Sequence, residues 1–329
     1  MVYDCAMQSA LTRLVCLLPL AAVLSLGLTL GACSKVEQAA REMQPGKAFL
    51  DSQIPPGLSP QYFPPQGFVW GSYRAKGLPE ARYGVASPPI NPRAQVMILA
   101  DADYPAEAYF ELAGQLLEKG YGVWLFEVPG QGGAGHYLLQ NQSVFTKSYH
   151  DGQLSALTFI RDIVHPTTDK PLFIVGTGYS ALSALSLAAN TRDGTIAGFV
   201  AYQPYAGGEI ARGTEWHRDD VVATYWGGIA QSWQMANPDL RMRVKSEGWR
   251  DQTKKAFAEF NSLHLPVVSL TAKAPPVLIV EPKDTAGAGD TAKTLCNRLS
   301  TCKTGVTSSP QSLGETVADF VRLNLQGLH

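Results

Sequence analysis

Charge is what this 329-residue chain has least of: Asp, Glu, Lys and Arg make up 17% of it while 45% is apolar, against a usual charged share of about 25%. Intrinsic disorder is thereby excluded. Neither sign is in excess, 27 Lys and Arg standing against 28 Asp and Glu, so no cationic surplus exists to neutralise a phosphate backbone. Nucleic acid is not an expected partner. Cysteine is scarce, five in all, and there is no internal repeat. No uncharged apolar run reaches the roughly 20 residues that a membrane span requires.

What the chain does carry near its start is an uncharged run over residues 14–30, behind Arg13 and ahead of Gly31-Ala32-Cys33. Its length and its small-residue end read as a secretion leader over residues 1–32. Asp4 sits poorly in such a leader, which favours Met7 as the start. Leu30-Gly31-Ala32-Cys33 resembles the bacterial lipobox, and the resemblance implies that Cys33 is lipidated and that the lipid bilayer is a partner. Ser34 after it implies the outer membrane of the cell envelope, facing the periplasm. Residues 33–67 are polar at first and then punctuated by Pro45, Pro55, Pro56, Pro60, Pro64 and Pro65, as in an extended tether. With Cys5 and Cys16 in the leader, Cys296 and Cys302 remain. An oxidising compartment favours a disulfide between them. A metal pair is the competing reading, but zinc wants about four ligands and no histidine lies near.

From residue 68 onward the spacing of apolar residues alternates between two periods. Residues 68–75 and 81–87 read as a strand hairpin around Gly77-Leu78-Pro79. Continuous apolar runs at 94–100, 120–128, 171–176, 194–202 and 276–281 read as buried strands, with helical periodicity at 106–120, 154–164, 180–190, 291–299 and 313–325. A further short strand is expected around 303–306. Strands joined by helices in this way predict a mostly parallel, doubly wound α/β sheet covered on both faces. Residues 203–273 break the rhythm, with Trp216, Trp226, Trp233 and Trp249 among polar helical stretches. They read as a helical cap inserted into one domain spanning 68–329.

A strand ending at Gly176, a tight turn and a helix of small residues is the setting of a nucleophile elbow. The chain resembles the α/β-hydrolases, and more narrowly the bacterial lysophospholipase and monoacylglycerol-lipase branch (serine aminopeptidase-type). The matching pieces are Tyr109-Phe110-Glu111, Gly120-Tyr121-Gly122-Val123, Pro129-Gly130-Gln131-Gly132, Pro171-Leu172-Phe173-Ile174-Val175-Gly176, Asn237-Pro238-Asp239-Leu240, Gly248-Trp249 and the cysteine pair Cys296 and Cys302. The resemblance implies ester hydrolysis by a Ser-His-Asp triad, and here the chain departs from it. The family's Gly-His-Ser-Met-Gly reads Gly176-Thr177-Gly178-Tyr179-Ser180, so Gly178 stands at the nucleophile position. Gln311 stands at the base position, where an amide cannot accept and return a proton. Asp284 stands at the acid position. No histidine lies between the last strand and the final helix: His136, His150, His165, His217 and His264 precede strand 276–281, and His329 is the last residue. The loop Ala100-Asp101-Ala102-Asp103 puts two carboxylates where an oxyanion would develop.

The expected function is therefore a membrane-anchored, catalytically inactive α/β-hydrolase-like lipoprotein that binds a ligand or a protein, without cofactor or metal. The alternative is an active serine hydrolase with a rearranged site, using Ser180 or Thr177 with a cap histidine such as His217. Ser180 otherwise caps its own helix start. Gly130-x-Gly132-x-x-Gly135 with Asp151 further on satisfies the dinucleotide fingerprint, but Pro129 precedes it and no apolar-periodic helix follows. Glu215-Trp216-His217-Arg218-Asp219-Asp220 holds ligand-type side chains with no spacing that fixes them on one helix face.

Overall fold

The computed structural model describes residues 46–138, 143–192, 194–263, 274–283 and 288–326. The leader, Cys33 and Asp284 lie outside them. Eight strands form one sheet: β1 (Val69–Tyr73), β2 (Ala81–Ala86), β3 (Gln95–Leu99), β4 (Gly122–Glu127), β5 (Leu172–Thr177), β6 (Ile196–Tyr202), β7 (Val277–Pro282) and β8 (Cys302–Thr307). Their order is β1-β2-β4-β3-β5-β6-β7-β8. Only β2 runs against its neighbours, pairing antiparallel with β1 and β4. Every other described pair in the sheet is parallel.

The central strands β3, β5 and β6 are buried along their whole length, which is why they read as unbroken apolar runs. Alternate residues serve opposite layers. Val96 and Ile98 face the layer of α1 (Phe110–Glu118), α4 (Tyr225–Ala236) and α7 (Leu313–Gln326). Met97 and Leu99 face α2 (Tyr149–Phe159), α3 (Tyr179–Asn190), α5 (Glu247–Asn261) and α6 (Ala288–Cys296). Helix α2 begins earlier than the apolar periodicity suggests, because Ser148 caps it by accepting from the N–H of His150 at 3.3 Å. It ends in a wider turn over Ile160–Val164.

Residues 203–263 do not form a single cap. Trp226, Ile229, Ala230 and Trp233, at helical spacing, draw α4 into the core on one face of the sheet. Ala256 and Phe260 hold α5 against the other face. Between them a two-residue ribbon, Ser143–Val144 beside Val244–Lys245, crosses a small cluster of Ala102, Val144, Ile210, Met242 and Trp249.

The proline-rich stretch also differs from a free spacer over its described part. Phe49, Leu58 and Tyr62 pack on the core, and the N–H of Phe49 donates to the carbonyl of Gly133 at 2.8 Å. Asn237 clasps Gln53, accepting from its N–H at 2.6 Å and donating to its carbonyl at 2.9 Å. Proline cannot join a ladder, but the aromatic side chains between the prolines find apolar surface, and that burial fixes the strap.

Beneath the strap lies a buried ionic cluster that sequence spacing does not reveal. Arg82 of β2 reaches Glu107 and Glu127, and its guanidinium sits 3.5 Å from the centroid of Trp70. Burial pushes Glu127 up to about 7 despite the attraction of Arg82. The glycine loop after β4 wraps this cluster: a Cβ on Gly132 would meet Glu127 Oε1 at 2.1 Å. Cys296 and Cys302 are joined in a disulfide that ties the end of α6 to the start of β8.

Candidate functional site

The parallel strands converge their C-terminal ends on one rim, where loops from several strands meet. There β5 runs into α3 through Gly178, whose backbone takes φ 56° and ψ −122°. That sharp strand-to-helix turn is the geometry of an elbow, and glycine holds it without the steric penalty a side chain would incur.

The position that a side chain on Gly178 would take is filled. A Cβ placed on Gly178 would lie 2.1 Å from Oδ2 of Asp101. Asp101 is 7% exposed, and its Oδ1 accepts two backbone N–H groups, from Tyr179 at 2.9 Å and from Ala102 at 2.7 Å. These are the residue after the nucleophile position and a residue of the loop after β3, the two sources of an elbow's oxyanion donors. The carboxylate thus sits where both a nucleophilic oxygen and a developing oxyanion would have to be. Burial, and next the charge of Asp103, push Asp101 up to about 8, against the pull of the Tyr179 N–H and of Lys245. Lys245 pairs with Asp103.

The other hydroxyls of the elbow are engaged. Ser180 does not cap its helix: its Oγ donates to the carbonyl of Ala100 at 2.6 Å, because a side chain in the first helical turn points back toward the helix start, here onto the end of β3. Thr177 Oγ1 is buried between the hydroxyl of Tyr109 at 2.9 Å and the carbonyl of Leu99 at 3.3 Å. His217 is held by its backbone, its N–H donating to Asp220 and its carbonyl accepting from Gln231. Among the described residues no histidine lines either cavity that touches the elbow.

Gln311 lies in a short turn over Pro310–Ser312 and is exposed. Its neighbour Pro310, rather than Gln311, lines the cavity above Gly178. Glu281, at the end of β7, is a buried carboxylate that no motif announces, and burial pushes it up to about 7. The glycine fingerprint does not open toward a ligand: Gly130 N–H donates to the Gly135 carbonyl, the loop encloses Glu127, and Asp151 accepts from the Tyr137 hydroxyl at 2.7 Å. Asp220 of the polar cluster accepts from Arg243 at 2.6 Å. Among the described residues no group of three or more His, Cys, Asp or Glu is arranged to hold a metal.

The cavity over the elbow measures about 330 Å³ and is lined by Asp101, Asp103, Tyr104, Tyr179, Gln203, Tyr205, Tyr225 and Trp226, among others. Gln203 stands at φ 47°, a left-handed conformation that is uncommon for a residue with a side chain. Nothing in the sequence brings these aromatic residues together, because they come from four separate loops and helix starts.

Solved structures with a similar fold include a highly thermostable carboxyl esterase from Bacillus coagulans, with TM-score 0.56 at 14% identity over 78% of this chain and 99% of that one. A soluble variant of monoglyceride lipase from Saccharomyces cerevisiae gives TM-score 0.56 at 14% identity over 84% and 99%. Est1E from Butyrivibrio proteoclasticus, solved with ferulic acid, gives 0.52 at 14% over 78% and 99%. The fold is that of the α/β-hydrolases. No protein-family model and no curated protein matches the chain.

Proposed function

We propose that this chain is a catalytically silent α/β-hydrolase-fold lipoprotein, held on a membrane by lipidated Cys33 and retained for binding in the cavity above its elbow. The observation that carries the reading is the Asp101 carboxylate seated over Gly178 on the two backbone N–H groups that would stabilise an oxyanion. An ester carbonyl entering the cavity meets no nucleophile and no free pair of donors. Loss of a nucleophile or base alone costs about a millionfold in turnover in serine hydrolases, and here the oxyanion donors are occupied as well.

A fluorophosphonate probe and short-chain p-nitrophenyl esters test it. The expected result is no labelling and no turnover above the heat-denatured chain; stoichiometric labelling of any serine overturns the reading. Anchoring is tested separately by feeding cells an alkyne-tagged palmitate, which should label the wild-type chain and not Cys33→Ser.

A further inference from the structure

A cavity whose chemistry has been inverted at its centre selects a different ligand from the one an ester hydrolase selects. The elbow region of a working hydrolase offers hydrogen-bond donors to a developing anion. Here the donors are spent on Asp101 Oδ1, and Oδ2 of the same side chain accepts from no donor among the described residues. That oxygen belongs to a carboxylate more than nine-tenths buried on the cavity wall. Asp103 stands beside it, and Lys245 pairs with Asp103 rather than with Asp101. The wall therefore carries Asp103, paired with Lys245 behind it, and Asp101, whose open oxygen holds a proton at neutral pH and becomes a carboxylate without a counterpart above about pH 8. With Asp101 ionised, an anion entering the cavity is repelled and a neutral ester finds no donor on that side chain. A cation finds an acceptor whose burial spares it competition with bulk water.

The rest of the wall suits the rest of such a ligand. Tyr104, Tyr179, Tyr205, Tyr225 and Trp226 line the same space, and aromatic rings attract cations that approach their faces. One of them already holds a cation: the ammonium of Lys245 lies 5.4 Å from the ring centroid of Tyr179. The volume of about 330 Å³ falls in the range of small-molecule sites, about 300 to 1,000 Å³. Gln203, in its strained left-handed conformation at the rim, supplies an amide to orient a polar tail.

We propose that this cavity binds a small organic ammonium ion, its charge on the open oxygen of Asp101 and its carbon groups against the tyrosine and tryptophan rings. The inference rests on the binding reading above, and the two fail separately: probe labelling tests catalysis, ion titration tests the ligand.

Titration of the full chain at about pH 9, where Asp101 is ionised, in a maltoside detergent and followed by calorimetry, uses choline, its neutral carbon isostere 3,3-dimethylbutan-1-ol and the anion butyrate. A parallel arm offers the same ammonium as the headgroup of phosphatidylcholine vesicles. Choline is expected to bind, with the isostere and butyrate at least about tenfold weaker, and Asp101→Asn, which keeps an acceptor for the two N–H groups, should weaken choline by about tenfold or more. Asp103→Asn, read on its own, should also weaken it by leaving the Lys245 ammonium without its carboxylate partner and close enough to act on Asp101. Binding to vesicles alone, abolished by Asp101→Asn, supports the site with a lipid headgroup as its source. No binding in either arm, equal binding of the isostere, or unchanged affinity in both folded variants overturns the proposal.

Discussion

Gly178 and Asp101 occupy one small volume together, and each explains the other. Glycine carries the left-handed turn and leaves room for a carboxylate; the carboxylate takes the N–H groups the turn exposes. Restoring a serine therefore meets two obstacles, strain at φ 56° and a Cβ 2.1 Å from Asp101 Oδ2. Gly178→Ser is expected to be inactive and less stable. In a double-mutant cycle with Asp101→Gly, the pair should recover about 0.5 to 3 kcal/mol of the loss, measured by urea unfolding; strict additivity would show that the two residues do not compete for space. Asp101 also has a pH signature. Its folded pKa lies near 8, above the ordinary 3.8, so its protonated form is favoured by folding. The stability it contributes is complete below about pH 4 and is lost as pH rises toward 8. Glu127 and Glu281 act in the same direction toward 7. Wild-type stability should fall between mildly acidic and alkaline pH, and Asp101→Asn should flatten that fall in a series of melting curves. The glycine, the exposed glutamine and the paired acidic residues were all visible in the sequence. That one acid would fill the donor pair was not, because the Asp101–Tyr179 contact joins residues 78 apart in the chain.

The elements divide between those with a local signal and those made by partners. Central strands are legible because burial on both faces leaves no polar position in them. Helix α4 was legible only as part of a helical cap over 203–273, and not in its place, since only the core contacts of Trp226 and Trp233 decide which face it covers. The strap over residues 46–63 was legible only as proline-rich chain. Asn237 fixes it, and Asn237→Ala, which leaves the Gln53 N–H and carbonyl without partners, should cost about 1 to 3 kcal/mol and raise the rate of proteolytic cleavage within 46–63. The clamp on β8 is covalent: closing so short a loop between Cys296 and Cys302 restrains the unfolded chain by about 2 kcal/mol. Cys296→Ser with Cys302→Ser should lower stability by that amount in urea, with the fold kept.

Across the whole molecule, two core layers and one sheet carry the stability, and the buried Arg82 cluster joins the hairpin β1–β2 to them. Arg82→Met leaves two buried carboxylates without their cation and should destabilise the protein by about 3 to 5 kcal/mol, seen as a large drop in the denaturation midpoint. No described helix is long and apolar enough to cross a membrane. The period of the apolar residues settled the layers and the strand sequence from the amino acids alone, because burial imposes a pattern that local chain can display. The filled elbow, the strap and the aromatic cavity were decided only in the folded chain. They depend on which distant side chains the sheet brings to one rim, and separations of that kind leave no periodic trace.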